Sequence, residues 1–366
     1  MKKFGFGTMR LPLLNPEDKG SINYDEVSSM VDVFLEGGFL YFDTAYPYHD
    51  CLSEVAVKKC LTERHDRSSY ILADKMPILR VTCKEDYERF FTEQLEKTGA
   101  GYFDYYLLHN IGVERYPNVQ KFGGFEFINE KKKAGLIKQI GFSYHDNAVL
   151  LDRILTEHPE VDFVQLQINY LDWTSPVIQS EANYEVCKKH GKPVVVMEPI
   201  KGGKLIDLPE EAAKLCKEAG VKPAELALRF AMSLDNVFMV LSGMSNIEQL
   251  KENISTDFKE LTADEYELVA KIRDIINESK AIGCTSCGYC MEVCPKNINI
   301  PGYFGLYNMH ATTGNKSNMY YERAFTGHGK STDCIKCGAC EKNCPQHIEI
   351  RKNLDLFSKL YENVGQ

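Results

Sequence analysis

The sequence has no apolar run approaching the length of a membrane span, so a chain that crosses a bilayer as helices is not expected. It has no run of lysine and arginine long enough to make a stripe for nucleic acid, and its formal net charge is -9. Nucleic acid is therefore excluded as an expected partner. The start, "MKKFGFGTMRLPLL", carries two lysines, but Arg10 and two glycines break any apolar core of a signal peptide. A cytoplasmic protein is the expectation. With 366 residues, 44% of them apolar and 26% charged, the chain has room for one large soluble domain and a small one. Cysteine is not scarce: there are thirteen. Five of them, Cys51, Cys60, Cys83, Cys187 and Cys216, are scattered without a spacing and read as reduced, partly buried thiols.

From the N-terminus to about residue 277, short apolar runs alternate with helical patterns. The runs are "KFGFGTM", "FLYFDTA", "SYILADK", "FDYYLLH", "IKQIGFS", "FVQLQIN", "PVVVMEP" and "VFMVLSG". Each is β-branched or aromatic without strict alternation, as suits strands buried on both faces of a parallel sheet. The helical patterns are punctuated. "YDEVSSMVDVFLEGG" ends on Gly37-Gly38, "LSEVAVKKCLTER" opens with a serine and an acid, "KEDYERFFTEQLEKTG" stops at Gly99, and "KPAELALRFAMS" starts with Pro223. Eight strands, each followed by helix, predict an α/β fold, a (β/α)8 TIM barrel. In such a barrel, chemistry gathers at the C-terminal ends of the strands. Those ends read Asp43, Lys75, His109, Ser143, Gln167 and Glu198. A strand buried in a barrel has no structural need to finish in a titratable or amide group.

Here the sequence resembles the aldo-keto reductase family. The resemblance is carried by "GFGTMRLP", "YFDTAYPY", "LADK", "YYLLHN", "GLIKQIGFS", "QLQINY" and "GMSNIEQLKEN", and spans nearly all of the first 277 residues. It implies a catalytic group of Tyr48, Lys75, His109 and Asp43. Elementary chemistry suits these residues. Hydride addition to a carbonyl leaves an alkoxide, and Tyr48 can protonate it. An ammonium at Lys75, tied to Asp43, favours the ionised phenol, and His109 can orient the reacting oxygen. The same resemblance implies that Ser143 and Gln167 hold the nicotinamide carboxamide and that Met197 covers the ring. It assigns the adenosine end to Gly243, Ser245, Gln249, Glu252 and Asn253. The backbone at Gly202 and Gly203 can approach a pyrophosphate. The coenzyme expected is NAD(P)H. NADPH-preferring members commonly place Lys and Arg in the late loop, where this chain has Gly243 and Gln249, so NADH is admitted. Tyr46, Tyr144 and Trp173 are candidates for the pocket wall, and the loop "NIGVERYPNVQKFGG" for substrate choice.

The remaining eight cysteines form two copies of C-x2-C-x2-C-x3-C-P, starting at Cys284 and again at Cys334. That is the spacing of bacterial two-cluster iron–sulfur proteins, in which the fourth cysteine commonly serves the other cluster. One 4Fe–4S cluster is expected on Cys284, Cys287, Cys290 and Cys344, the other on Cys334, Cys337, Cys340 and Cys294. Zinc is the alternative, but zinc sites more often pair two C-x2-C arms. The duplication predicts a second domain over 278–366, small, mainly helical and similar to ferredoxin domains fused to electron-transfer enzymes. Between the copies lie "PGYFGLYNMHATTG" and "SNMYYERAFTG", which read as two short helices shielding the clusters. "RKNLDLFSKLYENVG" reads as a closing amphipathic helix.

Together these readings describe an iron–sulfur oxidoreductase that reduces a carbonyl or oxidises an alcohol. The alternative is a nicotinamide-binding sensor or regulator whose clusters are structural or sensory. Clusters pass single electrons and nicotinamide passes a hydride, so coupling the two calls for a converter: a flavin in the barrel mouth, or a ferredoxin or other redox protein as partner.

Overall fold

The computed structural model describes residues 2–278 and 281–362. The eight apolar runs form eight strands: β1 (Phe4–Gly7), β2 (Tyr41–Asp43), β3 (Ile71–Met76), β4 (Phe103–Ile111), β5 (Ile137–Tyr144), β6 (Phe163–Gln167), β7 (Val194–Met197) and β8 (Val237–Gly243). They pair in parallel in sequence order and close, β1 lying against β8 with Phe4 opposite Val240. The barrel interior is filled by Tyr41, Ala73, Leu107, Phe163, Val195, Met239 and Leu241. Two glycines make room for this filling. A Cβ on Gly5 would lie 2.7 Å from the Leu241 side chain, and one on Gly141 would lie 2.7 Å from the Phe163 ring.

Side chains alternate faces along a strand, so the residue two places after an interior one is also interior. Two places beyond Tyr41, Ala73, Leu107, Gly141, Phe163, Val195 and Leu241 come Asp43, Lys75, His109, Ser143, Gln165, Met197 and Gly243. The apolar plug and the polar rim above it are therefore one pattern, set by a period of two.

The helices run around the barrel. Tyr24–Glu36 is capped by Asn23 and ends at Gly37, Glu85–Thr98 ends on Gly99 with φ 63°, and Pro223 opens Pro223–Met232. One helix departs from expectation. Ser53 does not cap the helix that it opens: it lies inside Ser53–Val57, which continues as a π-turn over Lys58–Thr62. Its hydroxyl is instead 2.7 Å from Thr8 Oγ1 and 2.9 Å from Thr44 Oγ1, tying β1 to the loop after β2.

The C-terminal region is helical, with Ile300–Thr313, Asn318–Phe325 and Ile350–Tyr361 as its main pieces. Ile300, Tyr303, Phe304, Leu306, Ile350, Leu354, Phe357 and Tyr361 form a core separate from the barrel's. The junction expected at residue 278 adjoins residues 279 and 280, and the end of the expected closing helix includes 363–365; these lie outside the described residues. The cysteine duplication repeats in the backbone. Ser286 and Lys336 have φ of 61° and 57°, Gly288 and Gly338 of 83° and 76°, Asn297 and His347 of 50° and 51°. No helix among the described residues is long and apolar enough to cross a membrane.

Candidate active site and cluster cavities

The rim of the barrel encloses a cavity of about 530 Å3. On one wall Lys75, 1% exposed, places Nζ 2.5 Å from Asp43 Oδ1, 2.7 Å from the Thr44 carbonyl and 3.5 Å from the Tyr48 hydroxyl. Burial works against the ammonium, but Asp43 and Tyr48 together hold its pKa above the ordinary value. Burial lifts Asp43 too, against the pull of Lys75, and the pair is an ion pair at contact distance. Tyr48 differs from expectation. Burial outweighs Lys75, and Asp43 opposes that lysine, so the phenol lies above 10.0 rather than below it. Tyr48 is held by a turn in which His49, Asp50 and Cys51 all have positive φ, of 50°, 52° and 69°. His49 fixes that turn, accepting from the Leu11 N–H at 3.1 Å and lying 3.0 Å from the Lys19 carbonyl.

His109 faces Tyr48 edge-on, with ring centres 6.0 Å apart. It sits where the register between β4 and β5 shifts, next to Asn110 at φ 64°. Such a bulge re-aims a side chain. Burial and then Lys75 hold His109 well below 6.5, so the ring is neutral at neutral pH.

The cavity continues past Ser143, Met197, Gly202, Gly203, Gly243, Ser245, Gln249, Glu252 and Asn253. Ser143 Oγ accepts from the Asn110 N–H at 2.7 Å. Gln167 is not on the cavity wall: its amide donates to Asp172 Oδ2 at 2.9 Å and accepts from the Tyr320 hydroxyl at 2.9 Å. Several residues on the wall escaped the sequence reading. Gln165 is 2% exposed, and its Oε1 is buried without a partner in the structure. A group carrying an N–H, as a carboxamide does, would satisfy it. His145 lies on the same wall. Arg10 lies across the cavity: a Cβ on Gly202 would be 2.9 Å from its Nη2 and one on Gly243 3.2 Å from its Cγ. Lys222 is at the far end, 2.9 Å from Glu252. Both cations come from elements other than the late loop in which they were sought. The three aromatic candidates turn away. Tyr46 bonds Glu93, Tyr144 donates to the Asn147 carbonyl, and Trp173 packs on Tyr184 and Phe230. For Tyr144 the reason is alternation: its neighbour Ser143 faces inward.

The cysteines line two further cavities. One is walled by Cys284, Cys287, Cys290 and Cys344, with Ile300, Phe304 and Ile350. The other is walled by Cys294, Cys334, Cys337 and Cys340, with Ile298, Ile300 and Leu354. Each set takes one residue from the opposite copy. Apolar walls bearing four thiols are a donor set suited to an iron–sulfur cube. Among the described residues no three His, Cys, Asp or Glu converge as ligands of a single ion. Burial pushes Cys290 up to about 12 and Cys340 to about 11, so cluster binding must displace their protons. Of the other five cysteines, Cys60, Cys187 and Cys216 are buried and Cys51 and Cys83 half-buried.

A model of the aldo/keto reductase family matches residues 3–274, and a model of the 4Fe-4S dicluster domain matches residues 283–349. The chain belongs to the aldo/keto reductase family. Among curated reductases of this family, one from Mycolicibacterium smegmatis is 26% identical over 261 residues, covering 70% of this chain and 85% of its own. An L-galactose dehydrogenase of Arabidopsis thaliana is 25% identical over 290 residues, 71% of this chain and 87% of its own. Among solved structures, the holo form of an aldo-keto reductase from Bacillus halodurans superposes with a TM-score of 0.60 at 26% identity, over 74% of this chain and 91% of that one. An aldo-keto reductase from Klebsiella pneumoniae, in complex with NADPH, does so with a TM-score of 0.60 at 20% identity, over 75% and 91%. At that identity the second likeness speaks for the fold.

Proposed function

We propose that this reductase reduces a small-molecule carbonyl, or oxidises the corresponding alcohol, with a nicotinamide coenzyme, and that its C-terminal domain carries two 4Fe–4S clusters that exchange electrons with the barrel. The observation that carries the reading is the buried Asp43–Lys75 pair in reach of the half-buried Tyr48, beside a neutral His109 on one cavity wall. When bound, reduced nicotinamide supplies a hydride. Tyr48 gives its proton to the substrate oxygen, and Lys75 stabilises the phenolate that remains. Asp43 keeps Lys75 charged in a site where burial disfavours charge. His109, with no charge of its own, orients the substrate oxygen by a hydrogen bond. Solvent then returns the proton to Tyr48.

Ser143 and Gln165 are assigned to the carboxamide, in place of the expected Gln167 that lies behind the wall; Met197 is assigned to the ring face, and the backbone at Gly202 and Gly203 to the pyrophosphate. Gly243, Ser245, Gln249, Glu252 and Asn253 take the adenosine end. Arg10 and Lys222 line the same cavity and are the cations assigned to a 2′-phosphate, which supports NADPH as well as NADH. Cys284, Cys287, Cys290 and Cys344 are assigned to one cluster, and Cys294, Cys334, Cys337 and Cys340 to the other. The domains are taken as 1–277 and 278–366. The reading of electron exchange is supported by a cleft between them, lined by Cys284 on one side and by Asp172 and Lys201 on the other. A flavin, or a ferredoxin-type partner, is the converter to seek.

The test is anaerobic titration of the holoprotein with NADH and then NADPH, following the visible absorption of the clusters, with carbonyl added afterwards. Bleaching by coenzyme is the expected result. Coenzyme oxidation by carbonyl without bleaching would leave a reductase whose clusters are structural or sensory. No oxidation in either assay would overturn the catalytic reading.

A further inference from the structure

The helix Asn318–Phe325 belongs to the cluster domain by sequence, and was expected to shield the clusters. It packs on that domain's core through Met319, Tyr320 and Tyr321, and it also lies on the mouth of the barrel. Arg323, 5% exposed, donates to the His145 carbonyl, lies 3.1 Å from Asn110 Oδ1 and 3.0 Å from Glu114, and is 3.4 Å from Asp146. The Met319 sulfur accepts from Asn110 Nδ2 at 3.3 Å. These contacts set Tyr320, 8% exposed, between two side chains of the barrel.

The hydrogen bonds there can be oriented one after another. Lys201 donates to Asp172 Oδ1 at 2.5 Å, so Asp172 is a carboxylate that only accepts. Asp172 Oδ2 therefore takes the amide nitrogen of Gln167, at 2.9 Å, and turns the amide oxygen away from itself. That oxygen also only accepts, so the Tyr320 hydroxyl, 2.9 Å away, gives it its one hydrogen. His145 Nδ1 lies 3.1 Å from the same hydroxyl oxygen and must donate to it. Burial and the nearby arginines hold His145 down to about 3, so it carries a single ring proton, on Nδ1. Its Nε2 is then an acceptor, on a ring that lines the coenzyme cavity.

We infer that Tyr320 is a positioning residue of the barrel's coenzyme site, supplied by the cluster domain, which fixes the amide of Gln167 and the tautomer of His145. The inference rests on the reading of this cavity as a nicotinamide site. It makes the cluster domain part of that site and not an appended electron carrier alone. Removing one hydroxyl should loosen His145 on the cavity wall and Gln167 behind it, and leave the apolar seam filled by the same ring.

The test is Tyr320→Phe in the holoprotein, with the dissociation constants of NADH and NADPH measured anaerobically without substrate. About ten-fold weaker binding is expected, with iron and labile sulfide unchanged. In a Gln167→Leu background the same change should weaken binding less than in the wild type, because one of the hydroxyl's two partners is already gone and only the His145 bond remains to be lost. An unchanged constant in Tyr320→Phe would overturn the inference, and so would fully additive effects, which would mean loosened packing of the domains. Should the variant lose its clusters, the wild type still decides. 15N-histidine spectra should show His145 protonated on Nδ1, and protonation on Nε2 overturns the inference. A wild type that binds neither coenzyme takes down the coenzyme reading and this inference with it. A wild type that binds, beside an equal variant, takes down the inference alone.

Discussion

In the barrel, Lys75 is held by Asp43, the Thr44 carbonyl and Tyr48, all groups of the chain itself, at a depth where it is 1% exposed. In the C-terminal region, Cys287 and Cys337 are exposed, and the four cysteines of each set line one cavity. The barrel builds its chemistry on the ends of hydrogen-bonded strands and closes its site with internal ion pairs. The cluster region sets its cysteines on loops with left-handed residues, packed against a small helical core. Geometry imposed by a sheet survives the loss of a cofactor. Geometry imposed by a bound cluster is part of the binding equilibrium.

The largest effect that would sharpen this contrast is loss of the Tyr48 hydroxyl. Tyr48→Phe should lower kcat/KM for carbonyl reduction by about 10²–10⁴-fold, with the visible absorption of both clusters intact. In the wild type, the acid must stay protonated, and its pKa is raised above 10.0 by burial. Reduction should thus show no alkaline fall in kcat/KM below pH 10.0, and a fall near pH 8 would refute the placement of Tyr48. A smaller effect is expected from the other side of the comparison. Cys340→Ser should lose at least half the bound iron and destabilise the region from residue 281 onward, while circular dichroism of the barrel stays. Coenzyme binding should then weaken by about ten-fold, through the displaced Tyr320. Barrel melting together with the clusters would erase the distinction between the two regions. The smallest effect is set by Arg10 on the exposed edge of the cavity. Arg10→Ala should raise the KM for NADPH about five-fold more than that for NADH, as an exposed charge pair allows. Equal changes for both coenzymes would remove Arg10 from phosphate recognition.

The barrel was legible because each strand is a short apolar run and each ends in a polar group that its burial does not require. The alternation that lifts Asp43, Lys75, His109 and Ser143 above the plug acts over two residues, a distance that sequence displays openly. The cysteine sets were legible for the same reason, since three cysteines of each lie within seven residues. What was not legible is set by contacts over long separations. Tyr320 meets Gln167 across 153 residues, and nothing in "SNMYYERAFTG" tells a shield from a seam. Arg10 was overlooked because cations were sought near Gly243 in sequence, whereas the closed barrel brings β1 beside β8. Ser53 looked like a cap because it precedes a helical pattern, but two buried threonine hydroxyls compete for its oxygen. The direction of the Tyr48 shift needed a depth of burial that sequence does not state.

The crossing of cysteines between the two cavities has a consequence for biosynthesis. Each cavity takes three cysteines from one copy of the motif and one from the other. Read from the N-terminus, the first set waits for Cys344 and the second for Cys340. Neither can be complete before Cys340 has left the ribosome, by which time all eight barrel strands have emerged. Loading of either cavity would thus follow synthesis of the entire barrel.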